Sequence, residues 1–156
     1  LDIEKNINMT GYSMFKKFGL YSQKLADENA EKYVKSVNIK TPSIRQLTQN
    51  LSGGNQQKVV LSKWLSKDTK ILIFDEPTRG IDVGAKYEIY KLMNEMSEKK
   101  KGIIMISSDL PEILGMCDRV YVFCKGKISG MLTRDEMTQE RILRLATGVQ
   151  NSEEES

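Results

Sequence analysis

Between Val83 and Glu98 the apolar residues Ala85, Ile89, Leu92, Met93 and Met96 fall on one stripe, and charged residues fill the other side. That spacing predicts an amphipathic helix. Lys99, Lys100 and Lys101 follow where the helix dipole favours cations, and Gly102 is expected to end the helix with them. A second helix is predicted after Leu51-Ser52-Gly53-Gly54, running to about Ser66, with Val60, Leu61, Trp64 and Leu65 at helical spacing. A third runs from Ala26 to Val37, with Ala30, Tyr33, Val34 and Val37 on one face. Two shorter runs, Ile71–Phe74 and Ile103–Ile106, are continuously apolar and read as strands buried on both faces. Ser107-Ser108-Asp109 offers N-cap chemistry, with Pro111 in the first turn of a short helix. Val120–Cys124 and Lys127–Leu132 flank Lys125-Gly126, the spacing of a β-hairpin. Thr138–Thr147 predicts a last helix closed by Gly148, and the acidic stretch Val149–Ser156 is expected to fray.

The region before Ala26 is weakly patterned and predicts short helical or irregular structure. Lys40-Thr41-Pro42-Ser43 breaks the chain, and Ile44–Gln49 suggests one more helical turn. The order strand, helix, strand, helix, hairpin predicts a parallel sheet with crossover helices. The chain thus reads as a helical region leading into the second half of an α/β domain.

With 156 residues the chain can bury a core without staples. Its net charge of +3 is too small to argue for a nucleic-acid partner. Histidine is absent, which excludes a histidine base or a histidine-ligated metal from this chain. Cys117 and Cys124 are too few for a disulfide framework and suit a reducing compartment as small core residues. The chain begins with Leu1 rather than Met, so it is expected to be a piece of something longer, or to have lost residues.

Two places carry chemistry. The Ile71–Phe74 strand delivers Asp75-Glu76 at its C-terminal end, where α/β sheets bind ligands. A first carboxylate there can hold Mg²⁺ and a second can polarise an attacking water, although acids also commonly follow strands at solvent-facing ends. Ser52-Gly53-Gly54 opens a helix whose positive end can meet a phosphate, and glycines let a ligand approach the backbone closely. The plainer reading of the same residues is a glycine loop with a serine N-cap.

Taken together, Leu51-Ser52-Gly53-Gly54-Asn55-Gln56-Gln57, then Lys58 to Phe74, then Asp75-Glu76-Pro77-Thr78, resemble the ATP-binding-cassette (ABC) ATPase family over about Leu47 to Gly130. The resemblance implies an α/β fold, a partial P-loop NTPase cassette with part of its helical subdomain. Residues 1–50 would belong to that subdomain, 51–148 to the C-terminal part of the ATPase core and 149–156 to a disordered tail. It implies that Ser52, Gly53, Gly54, Asn55 and Gln56 form the signature motif, Asn55 standing where glutamine is commoner. Asp75 would end the Walker B strand and hold Mg²⁺ through water, and Glu76 would be the catalytic carboxylate. Asp82 would be the acid of the D-loop, and Ser108 takes the position of the switch histidine.

Pro77-Thr78-Arg79-Gly80-Ile81-Asp82-Val83-Gly84-Ala85-Lys86 further resembles the second cassette of the fused ATPases of ribose, galactose and xylose importers, a pattern that nucleoside importers share. The implied ligands are ATP and Mg²⁺. The implied partners are a membrane permease, a partner cassette and, indirectly, an external sugar-binding protein, with the ATPase peripheral on the cytoplasmic face of the membrane. A noncatalytic partial cassette that supplies only a signature or a docking surface is the alternative. No stretch reads Gly, four residues, Gly-Lys-Ser/Thr, so the P-loop would lie upstream. Without a P-loop the chain alone is expected to hydrolyse ATP negligibly. It is also expected to expose a sheet edge or apolar patch through which it self-associates.

Overall fold

The computed structural model of the chain describes residues 1–17, 20–67 and 69–148. The tail expected to fray lies outside them. The chain divides into two compact units, Leu1–Ile106 and Ser107–Ser156.

The first unit opens with α1 (Ile3–Asn8), capped by Asp2, whose Oδ1 accepts from Lys5 N at 2.8 Å. Ile3 and Ile7 are fully buried. The weakly patterned stretch that follows forms 3-10 turns over Met9–Phe15 and a small antiparallel ladder of β1 (Lys16–Lys17) and β2 (Leu20–Tyr21). The predicted third helix is α2 (Gln23–Ser36), three residues earlier at its start because Ser22 provides the N-cap. Arg45 ties this region together, pairing with buried Glu4 at 3.0 Å and with Asp27 at 2.6 Å.

The helical turn expected at Ile44–Gln49 falls instead on Thr48–Asn50. The N–H groups of Ile3 and Glu4, at the start of α1, take the carbonyls of Gln46 and Ile44 at 3.1 and 3.0 Å. Helix-start N–H groups lack intrahelical acceptors, and these carbonyls satisfy them from a turn in which Gln46 N donates to Ser43 O at 3.0 Å.

The helix α3 (Gly53–Leu65), strand β3 (Ile71–Asp75), helix α4 (Val83–Glu98) and strand β4 (Gly102–Ile106) complete the unit. β3 and β4 pair in parallel, from Ile71 opposite Gly102 to Asp75 opposite Ile106, with α4 as the crossover. The α4 stripe is buried at Ile89, Leu92, Met93 and Met96 as its period predicts. Three expectations are corrected. The strands are buried on one face only: Leu72 and Phe74 are buried, whereas Ile71 is 61% exposed, Ile73 65%, and Ile104 and Ile106 51% each. A continuous apolar run cannot tell a covered face from an open one. On α3, Val60 and Trp64 are exposed, and the buried positions are Gly54, Lys58, Val59, Leu61 and Ser62. That face is more polar than an apolar count predicts, and the Ser62 hydroxyl is satisfied by the Lys58 carbonyl at 2.8 Å. Finally, the turn after α4 is made by Lys100 at φ 61°, not by Gly102, which is the first residue of β4 and donates to Lys70 O at 2.8 Å.

The second unit holds α5 (Leu110–Met116), β5 (Arg119–Cys124), β6 (Lys127–Thr133) and α6 (Gln139–Thr147). β5 and β6 form the predicted hairpin. Lys125 and Gly126 both have positive φ, 47° and 77°, as a two-residue type I′ turn requires. Val122, Leu132 and Ile142 form its core, with Leu110, Ile113 and Leu114 against them. Gly148 ends α6 in the left-handed conformation. Cys117 and Cys124 are free, half-buried thiols. Among the described residues no helix is long and apolar enough to cross a membrane.

Candidate functional site

Ser52 sits at the N-cap position of α3, yet its side chain makes no capping bond to the helix backbone. Its hydroxyl instead accepts from Asn55 Nδ2 at 2.9 Å. Asn55 Oδ1 in turn accepts from Lys40 N at 2.9 Å. The plainer reading of Ser52 as an N-cap therefore gives way to a serine held by its neighbour at a helix start. Asp82, by contrast, caps α4 in the ordinary way, with Oδ1 accepting from Ala85 N at 2.9 Å.

The two helix starts open on one cleft of about 260 Å³, which Ser52, Gly54, Asn55 and Asp82 line with Lys58 and Glu88. The structure thus brings four of the predicted residues together from two elements. Gly54 makes this possible: a Cβ there would lie 2.5 Å from the Ala85 Cβ. Gly53 is exposed at the head of α3. Gln56 turns back to its own chain, donating to Leu51 O at 2.9 Å.

Asp75 and Glu76 stand at the C-terminal end of β3. Asp75 is exposed and lines a second, more apolar cavity of about 470 Å³ with Val60, Trp64, Ile73 and Pro77. Glu76 leaves the strand at φ 46°, a left-handed conformation unfavourable for a non-glycine residue, and its N–H donates to Ile106 O at 2.8 Å. Pro77 and Thr78 are buried behind it. Such a conformation persists only where the surroundings fix it, and here the Ile106 carbonyl holds the Glu76 backbone. Gln57, for which motif spacing gives no role, donates to Pro77 O at 3.0 Å and so links α3 to the loop carrying Glu76.

Among the described residues no group of three His, Cys, Asp or Glu could hold a metal by itself. Proteins commonly give Mg²⁺ only one or two carboxylates and leave the rest to water and phosphate. The Asp75-Glu76 pair at an open strand end fits that donor set. Ser108, at the head of the second unit, is exposed, and beside it Ser107 Oγ accepts from Asp109 N at 3.0 Å and donates to the buried Glu112 carboxylate.

A parallel strand pair joined by a crossover helix, with carboxylates where the first strand ends, is an α/β arrangement whose chemistry lies at the strand ends. The sequence profile described as ABC transporter matches residues 2–79, and the chain belongs to the ABC transporter family. It is 55% identical, over 95% of its length, to the Xylose import ATP-binding protein XylG of Thermoanaerobacter pseudethanolicus. It is 51% identical over 97% to the Ribose import ATP-binding protein RbsA of Clostridium perfringens. It is also 51% identical over 94% to the L-arabinose transport ATP-binding protein AraG of Geobacillus stearothermophilus. It spans 29%, 30% and 28% of those proteins, so under a third of each. Among solved structures, a dimeric ATP-binding cassette in a post-hydrolysis state bound to ADP and Pi superposes with a TM-score of 0.73 at 21% identity. That match covers 86% of this chain and 57% of the other. An ATP-binding cassette of an ABC transporter in its ADP conformation superposes at 0.75 with 19% identity, covering 96% and 63%. These two likenesses establish the fold: α/β, a partial cassette.

Proposed function

We propose that the chain is part of the ATP-binding and hydrolysing subunit of a monosaccharide importer. The observation that carries this is identity above half, across nearly the whole chain, to import proteins for xylose, ribose and L-arabinose. The site supports it: Ser52, Gly54, Asn55 and Asp82 share one cleft, and β3 ends at Asp75 with Glu76 next in the chain. In this reading residues 1–50 are part of a helical subdomain and 51–148 the C-terminal part of the ATPase core.

Ser52, Gly53 and Gly54 at the head of α3, with Asn55 holding Ser52, meet the γ-phosphate of an ATP held by a partner cassette, and Asp82 borders the cleft as the cap of α4. That cassette comes from the same longer chain or from another. Uncharged donors at a helix start suit a phosphate, because N–H groups and the dipole both favour the anion. Asp75 and Glu76 serve the chain's own nucleotide site: Asp75 would hold Mg²⁺ through water, and Glu76 would polarise the attacking water. Mg²⁺ supplies charge neutralisation on the phosphates. Ser108 occupies a position where a serine hydroxyl cannot bring positive charge to the γ-phosphate. The chain's own site is therefore the weaker, and its signature completes the stronger. The subunit works on the cytoplasmic face of the membrane, against a permease fed by an external sugar-binding protein.

Turnover measurements test this division. The 156-residue chain alone, which lacks a P-loop sequence, hydrolyses ATP negligibly. In the complete ATPase assembled with its permease, Ser52→Arg lowers turnover about a hundredfold, and Glu76→Gln lowers it less. Ready hydrolysis by the isolated chain, or a larger loss with Glu76→Gln than with Ser52→Arg, contradicts the assignment.

A further inference from the structure

Lys58 carries a charge that the site described above does not use. It is 3% exposed, and a buried ammonium is costly unless it is fully paired. Its Nζ forms an ion pair with Glu88 on α4 and donates to Asn38 O at 2.8 Å, just beyond the end of α2. One side chain of α3 therefore holds two other segments.

The position of this pair matters more than its presence. Lys58 lies four residues after Gly54, one turn along the same face of α3. Glu88 lies three residues after Ala85 on α4. Gly54 against Ala85 and Lys58 against Glu88 are thus two contacts spaced about 5.4 Å apart along the crossing. A single close contact lets two helices pivot about it, whereas two contacts a turn apart fix the angle between them. The angle decides how far Ser52, at the head of α3, stands from Asp82, at the head of α4. Both Lys58 and Glu88 also line the cleft between those heads.

We propose that Lys58 is a positioning residue: with Glu88 and the Asn38 carbonyl it locks α3 to α4 and so fixes the Ser52–Asp82 cleft. Its effect on turnover rests on the signature role proposed above, but its effect on the helix crossing does not. Lys58 touches no reacting atom and acts through the residues it holds in place.

The test compares Lys58→Met, Lys58→Arg and Glu88→Gln in the complete ATPase with its permease. Methionine fills the site without a buried charge, and Glu88, 39% exposed at its side chain, keeps water. Lys58→Met is expected to leave the melting temperature unchanged or higher. Amide exchange at Gln56 and Lys86, whose N–H groups are bonded to the Ser52 and Asp82 carbonyls at the two helix starts, should rise about tenfold, while that of β3 stays the same. The kcat for ATP hydrolysis should fall about tenfold with little change in KM, because misplacing a contact group costs rate. Glu88→Gln should follow Lys58→Met, and Lys58→Arg should recover most of the loss.

Unchanged exchange at both helix starts in Lys58→Met and Glu88→Gln overturns the proposal. So does a general loss of protection that includes β3, which marks Lys58 as merely structural. Ser52→Arg in the same preparation separates the two readings. If it leaves turnover intact, the signature assignment fails, and the exchange data alone decide for or against the lock.

Discussion

Gly54 sets how near two helices come, and the reason is steric. A methyl group there would meet the Ala85 Cβ at 2.5 Å, and neither carbon can rotate away. Gly54→Ala therefore has to push α3 from α4, at a cost of about 1–3 kcal/mol. Gly115, inside α5, has nothing within 4 Å of an added Cβ. Gly115→Ala should stabilise by about 0.5–1 kcal/mol through helix propensity. Thermal denaturation of the two variants checks the contrast, and equal effects would mean that the Gly54 contact is soft. Asn55 and Lys58 show what a sequence hides at this level. Motif spacing singles out Ser52, Gly53 and Gly54, because glycine and serine have recognisable roles beside phosphates. Nothing in the motif says that Asn55 holds Ser52 and Lys40 through its two amide atoms. Nor does a lysine on a helix announce that it is buried.

Elements whose signals are local were legible. The α4 stripe, the Lys125-Gly126 turn and the Gly148 stop each follow from a few neighbouring residues, and each is found where the sequence puts it. Elements whose state depends on distant partners were not. The α3 face is chosen by what α4 and Asn38 offer Lys58, and the helical turn expected over Ile44–Gln49 falls on Thr48–Asn50, past the carbonyls that accept from the N–H groups of α1. The 3-10 turn Arg134–Glu136 offers a pH test of a local device. Glu136 accepts from Thr133 N at 3.0 Å and from its hydroxyl at 2.9 Å. The Thr133 backbone N–H first, then the hydroxyl, holds this carboxyl below the usual glutamate range. A carboxyl lowered in the folded state stabilises fully above its unfolded pKa, and that contribution is lost as pH falls through the folded value. The Thr133 amide resonance should therefore keep its neutral-pH position to lower pH than an ordinary glutamate allows, then shift as Glu136 protonates. Glu136→Gln should abolish the shift. Titration at the ordinary glutamate value would contradict the capping box.

Ile71, Ile73, Ile104 and Ile106 leave one side of the parallel pair bare, and Tyr121 and Phe123 are likewise exposed on the hairpin. Monomeric soluble proteins rarely expose contiguous apolar surface of this kind outside a contact face. The chain covers 57% of one solved cassette and under a third of its curated relatives. Its two chemical ends divide accordingly in the account given above: Asp75 and Glu76 for its own nucleotide site, and Ser52 with Asp82 for a partner's. The sugar-import assignment is tested most directly by uptake of radiolabelled ribose, xylose and L-arabinose. The cells would lack other importers for these sugars and carry the complete ATPase with its permease and binding protein. At least one sugar should be taken up, and Ser52→Arg should reduce that uptake by about tenfold or more. Uptake of none of the three by the unaltered protein, or uptake untouched by Ser52→Arg, would contradict the account.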